Sequence, residues 1–184
     1  YIDRELKIHP VAWPARKLPY DLEAIIMLPG NENRFILMES TGICYELDID
    51  STSLQTDLIH SFTLPNLKPT MNLEGLTIFP SGQGLVFIYG DRGSDKRKST
   101  LFTAFFNPKK RSFYEVSKFT VDLPKPKNHK RNIADLTIKA NGSVWTSATS
   151  DPSDNGPFTT AIYELGEIDH ACTFTPIHPE IQKP

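Results

Sequence analysis

Cysteine is scarce in this chain of 184 residues: Cys44 and Cys172 are the only two. Two are too few for a disulfide framework, and they lack the spacing of a metal motif. Both sit in strand-like apolar surroundings and read as buried free thiols. Long hydrophobic runs are missing as well. The longest, such as Ala24–Leu28 and Leu85–Tyr89, are strand-length, far short of the roughly 18–20 residues of a spanning helix. No segment sustains an i, i+3, i+4, i+7 apolar pattern, so no long helix is expected. The five histidines, His9, His60, His129, His170 and His178, lack zinc spacing with one another or with cysteine. No serine stands in a Gly-x-Ser-x-Gly elbow, and no glycine-rich stretch leads into Lys-Ser/Thr. Both absences argue against serine hydrolysis and nucleotide hydrolysis.

What is present suits a folded, soluble β domain. The hydrophobic fraction is 39% and the charged fraction 23%, which excludes intrinsic disorder. With Tyr1 in place of Met, either a leader has been removed or the sequence starts within a longer chain. The first residues have neither the charged nor the apolar zone of a signal peptide, so the compartment stays open. Asn141-Gly142-Ser143 matches a glycosylation sequon, but Asn-Gly between two strand-like runs is already explained as a hairpin turn.

Three copies of one pattern run along the chain. The first passes from Asp21-Leu22-Glu23-Ala24-Ile25 through Arg34–Glu39 to Ile43–Leu47. The second starts at Asn72-Leu73-Glu74-Gly75-Leu76 and continues through Leu85–Tyr89 to Leu101–Phe106. The third starts at Asn132-Ile133-Ala134-Asp135-Leu136 and continues through Val144–Ser147 to Ala161–Leu165. Fourth strands are expected around Asp57–Phe62, Tyr114–Phe119 and Cys172–Thr175. The starts lie 51 and 60 residues apart, close to the roughly 40–50 residues of a four-stranded propeller blade. We therefore expect one all-β, propeller-like domain with blades at about 21–65, 72–123 and 132–176, after a leading strand and linker over 1–20 whose strand is Glu5–Ile8. Propellers close with about four to eight blades. Three blades imply a homodimer closing a six-bladed ring, a missing remainder of the propeller, or sheets packed in some other way.

The blade-start motif in Asp21–Ile25 and Asn72–Leu76, with the strand end Phe87-Ile88-Tyr89-Gly90-Asp91-Arg92-Gly93, resembles β-propellers of the esterase-like phytase and SdiA-regulated type. That resemblance implies inner strands carrying acids toward a central channel, where phytase-like members bind calcium and hold a phosphate ester. Glu23 and Glu74 match the acidic position of the motif. The third copy departs from it, with Ala134 at that position and Asp135 one place on.

Charge is unevenly spread. From Arg92 to Arg131 twelve Lys/Arg face three Asp/Glu, a local net of +9 that leaves −11 for the rest. In an antiparallel meander alternate connections emerge at the same end of the sheet. Glu23, Glu74 and Asp135 should thus share one end with Asp91, Asp151 and Asp154, and with two basic loops. One loop carries Arg92, Lys96, Arg97 and Lys98; the other carries Lys125, Lys127, His129, Lys130 and Arg131. Lys109, Lys110 and Arg111 belong to the opposite end. Glu23, Glu74 and Asp135 are candidate calcium ligands, since hard oxygens suit that ion; alternatively the glutamates cap backbone groups or pair with arginines between blades. The basic loops are a candidate site for an anionic ligand or an acidic protein partner, against the plainer reading of solvated lysines. Phe102, Phe105, Phe106, Phe113 and Tyr114 read as packing rather than a stacking platform, which argues against sequence-specific nucleic-acid binding. Two functions follow: a non-enzymatic binding or scaffold propeller, favoured because the acidic set is incomplete for metal catalysis, or a calcium-dependent phosphoesterase.

Overall fold

The computed structural model describes residues 5–50, 52–82, 84–153, 156–169, 171, 173–177 and, for the backbone alone, 181–182. The chain is all-β, with only Ser153 in a helical conformation among these residues. The first sheet is an antiparallel meander of β1 (Leu22–Met27), β2 (Arg34–Glu39), β3 (Ile43–Ile49) and β4 (Thr56–Thr63). The middle sheet comprises β5 (Leu73–Ser81), β6 (Gly84–Asp91), β7 (Ser99–Asn107) and β8 (Ser112–Val121). The third comprises β9 (Lys130–Ile138), β10 (Ser143–Ser150), β11 (Thr159–Ile168) and β12 (Phe174–Pro176). These match the three expected copies, except that Cys172 lies outside the described residues. No sheet closes on itself. No described helix is long and apolar enough to cross a membrane.

Two elements depart from expectation. Glu5–Ile8 carries only a one-residue bridge at Ile8 instead of a strand. The leading segment lies instead on the first sheet, where Ala12 C=O accepts the hydroxyl of Thr56 and Trp13 meets Tyr45 edge-on at 5.1 Å. The strand that does join a sheet out of sequence order is β13 (Ile181–Gln182), which pairs with the outer edge of β8 through Ile181↔Val121 and Gln182↔Thr120.

Strand alternation explains how the sheets stack, because successive side chains point to opposite faces. On β6, Phe87 and Tyr89 enter a core shared with Ile36, Met38 and Cys44 of the first sheet. Val86 and Ile88 enter a second core with Ile133, Leu136, Val144 and Leu165 of the third. Cys44 is buried and free, and burial pushes its thiol pKa up, as expected of an inert core cysteine. Tyr89 stacks on Phe102 at 5.0 Å, while its hydroxyl donates to Pro65 C=O at 2.9 Å. A buried tyrosine needs such a partner.

The first strands of consecutive sheets are neighbours, β1 beside β5 and β5 beside β9. One backbone bond recurs there: Leu73 N–H donates to Ser40 C=O at 2.8 Å, and Asn132 N–H donates to Arg92 C=O at 3.0 Å. Close approach depends on glycine. A Cβ on Gly75 would stand 2.6 Å from Leu136 Cγ and 3.0 Å from its backbone nitrogen. We expect Gly75→Ala to cost about 1–3 kcal/mol, as overpacking does, read as a lowered denaturant midpoint at unchanged m. An unmoved midpoint would mean that β5 and β9 do not pack this tightly.

Candidate functional site

The loop after β6 and the link before β9 meet at one end of the middle and third sheets. Sequence proximity cannot produce this, since Arg92 and Arg131 are 39 residues apart; the pairing of β5 with β6 and the packing of β5 beside β9 does. Between them lies Glu74, which is 4% exposed. Its Oε1 accepts from Arg92 Nη1 at 2.9 Å and from Arg131 Nη1 at 2.6 Å. Arg131 also holds Asp151 through its other terminal nitrogen. A buried carboxylate must be paired to remain charged, and two guanidiniums supply that pairing across a sheet boundary.

Neighbouring acids fix the basic loops. Asp91, fully buried, accepts both terminal nitrogens of Arg97 and the N–H of Asn72 at 3.0 Å. That fork sets the start of the 92–98 loop, with Ser94 and Arg97 bridging each other. Asp95 reaches across to the third sheet's link, accepting the N–H groups of His129 at 2.9 Å and Lys130 at 2.7 Å. These bonds to Lys130 and then His129 hold the Asp95 carboxyl below its usual range. Asp122 takes Lys130 Nζ at 3.1 Å and Lys98 Nζ at 3.6 Å. The hydrogen bond from Lys130, foremost, lowers its pKa too.

The result is a cleft of about 290 Å³ walled by Arg92, Lys96, His129, Lys130, Arg131 and Asp151. A second hollow of about 390 Å³ is lined by Lys125, Lys127 and Thr159–Ala161. Every candidate basic residue on the two loops thus has a place on this end of the molecule. Arg97, Lys98, Lys130, Arg92 and Arg131 are engaged by carboxylates; Lys96, Lys125 and Lys127 are exposed with no ion pair to a described residue.

The acidic candidates fare differently. Glu23 is exposed, but partial burial and the charges of Glu74 and Asp21 push its carboxyl above the usual range, with Arg131 opposing. Glu23 and Glu74 are therefore electrostatic neighbours. Asp135 lies on β9 opposite Ser147, its Oδ1 accepting the N–H of Leu136 at 2.8 Å. Asp154 lies outside the described residues. Among the described residues no three His, Cys, Asp or Glu side chains gather in a way that could hold a metal ion. Sequence reasoning overlooked Asp95 and Asp122, although each was a lone acid inside a basic stretch and hence a natural clamp for it. No family profile matches this chain, and no curated protein matches it either.

Two outcomes follow. Glu74→Gln leaves two guanidiniums sharing a neutral amide and should cost about 2 kcal/mol, the scale of a hydrogen bond to a charged group, read by chemical denaturation. Asp95 and Asp122 have lowered folded-state pKa values, so their contribution is complete above the ordinary carboxylate range and lost as pH falls through the folded values. Glu23, being raised, has the opposite sign and regains a little stability on protonation. Thermal melts should therefore drop below about pH 4, and Asp122→Asn should flatten that acid limb. An unaltered limb would show that the Lys130 clamp is not formed.

Proposed function

We propose that this chain is a non-enzymatic binding module of the β-propeller type, which holds an anionic ligand or an acidic protein surface on its basic loop face. The observation that carries this reading is the convergence of both basic loops on one cleft, with Arg92, Arg131 and Lys130 held in place by carboxylates while Lys96, Lys125 and Lys127 remain uncommitted. Fixed positive groups beside uncommitted ones favour polyanions, because their ordering cost is already met in the free protein.

The propeller part of the reading is supported by the adjacency of β1, β5 and β9, by the recurrent sheet-to-sheet bond, and by the similarity of the blade-start motifs to esterase-like phytase and SdiA-regulated propellers. A binding role is favoured over a calcium-dependent phosphoesterase because Glu74 gives its Oε1 to two arginines and Asp135 gives its Oδ1 to the N–H of Leu136. Fold alone would not separate the two.

Heparin, a sulfated polysaccharide, is a suitable probe. The chain should be retained at low salt, and Lys96→Ala with Lys127→Ala should elute earlier. The slope of log affinity against log salt should fall by roughly one for each lysine removed, as for phosphate contacts. Elution identical to wild type would reduce this face to solvated surface.

A further inference from the structure

Among the described residues, the bond that joins successive sheets lacks a partner for its donor at one end of the three sheets and for its acceptor at the other. In the first sheet Ser40 N–H is tied back to Asp21 C=O at 2.9 Å, leaving Ser40 C=O to receive Leu73 N–H. In the middle sheet Arg92 N–H is tied to Asn72 C=O at 2.9 Å, leaving Arg92 C=O to receive Asn132 N–H. The third sheet makes the same preparation, with Asp151 N–H bound to His129 C=O at 3.0 Å. No described residue donates to Asp151 C=O. Leu22 stands opposite Glu39 as Leu73 stands opposite Asp91, yet no described carbonyl from another sheet meets its N–H.

The free faces agree with the free bonds. Ala24, Ile26, Ile36, Met38 and Cys44 point from the first sheet into the core beneath the middle sheet. Alternation therefore turns Ile25, Met27, Phe35, Leu37 and Leu47 the other way. There they line or flank a hollow of about 470 Å³ that Trp13 only partly roofs, and Ile25 is 63% exposed. In the third sheet Val144, Ala148 and Leu165 face the middle sheet. Ile162, paired with Ser147, lies on the outward face and is 64% exposed. On the first sheet these residues share one face and exceed what isolated surface hydrophobes explain; on the third sheet Ile162 stands exposed among Ser147, Thr149 and Thr160.

Resting on the propeller reading above, we propose that the occupant of these faces is a second copy of this chain. The third sheet of each copy packs on the first sheet of the other, and Asp151 C=O of one receives Leu22 N–H of its partner. The choice of a second copy follows from complementarity within one molecule: this chain presents both the acceptor with its face and the donor with its face. Such a head-to-tail contact, made twice about a two-fold axis, closes without leaving a free end.

Sedimentation velocity at micromolar concentration tests this on the chain as it stands. Wild type should sediment at twice the mass of one chain, while Ile25→Lys and Ile162→Glu, both at exposed positions, should each be monomers. An equimolar mixture of the two variants should recover dimer. One of its contacts is then wild type on both sides, and the other sets lysine against glutamate. A wild-type monomer, an open series of larger species, single variants that still dimerise, or a mixture that stays monomeric would each overturn the proposal. Heparin retention read on the same samples separates the two ideas. A monomer that is still retained refutes the pairing alone, and a dimer that is not retained refutes the basic-face reading alone.

Discussion

Phe87 and Tyr89 leave β6 on one side while Val86 and Ile88 leave it on the other, and both sets are buried. The middle sheet is therefore apolar on both faces, and its two neighbours are held by the cores that this strand supplies. Burial of side chains of this size contributes about 1.5–3 kcal/mol each, far more than any exposed ion pair at the loop end. The stacking of three sheets thus comes first. The position of every charged group on the loops follows from it, since Arg92 and Arg131 meet only where β5 lies beside β9.

Glu74 shows how that packing constrains charge. A carboxylate so buried needs partners, and the middle sheet itself supplies only Arg92. Arg131 comes from the next sheet, so the same ion pair that satisfies Glu74 also fixes the relation between the two sheets. Glu23 occupies the corresponding place in the first sheet and finds no such pair of arginines among the described residues. Partial burial, then the charges of Glu74 and Asp21, push its carboxyl up. The contrast separates two uses of one motif position. Where the following sheet brings an arginine, the acid serves as an inter-sheet tie; where it does not, the acid is left near other negative charge.

Much of this was legible in the sequence. The repeat gave the strands their places because alternation and Gly/Pro/Asn turns are local signals, and Leu85–Tyr89 falls within β6 as expected. The end of the sheets at which Glu74, Arg92, Asp151 and Arg131 gather followed from meander geometry alone. The pairing among them did not, because hydrogen-bond partners 57 residues apart, such as Glu74 and Arg131, depend on how closely two sheets approach. Glu5–Ile8 looked like a strand because four residues of alternation cannot be told from an extended linker. The short strand β13 was invisible for the converse reason: two residues carry no period, and only the waiting edge of β8 makes them a strand.

The basic loops illustrate why composition alone overstates a binding surface. The twelve Lys/Arg between Arg92 and Arg131 would repel one another if left bare, and Asp91, Asp95, Asp122 and Glu74 restrain those on the two loops. The smaller set of Lys96, Lys125 and Lys127 is left without an ion pair to a described residue, around clefts whose walls are tied by ion pairs and hydrogen bonds. A few uncommitted cations on a fixed frame discriminate by spacing, whereas a flexible run of lysines attracts any anion equally. That difference makes the loop end a candidate for recognition rather than for mere solubility, and it arises in part because Glu74 and Asp91, two of the acids that tie the loops down, come from the strands β5 and β6 that build the core.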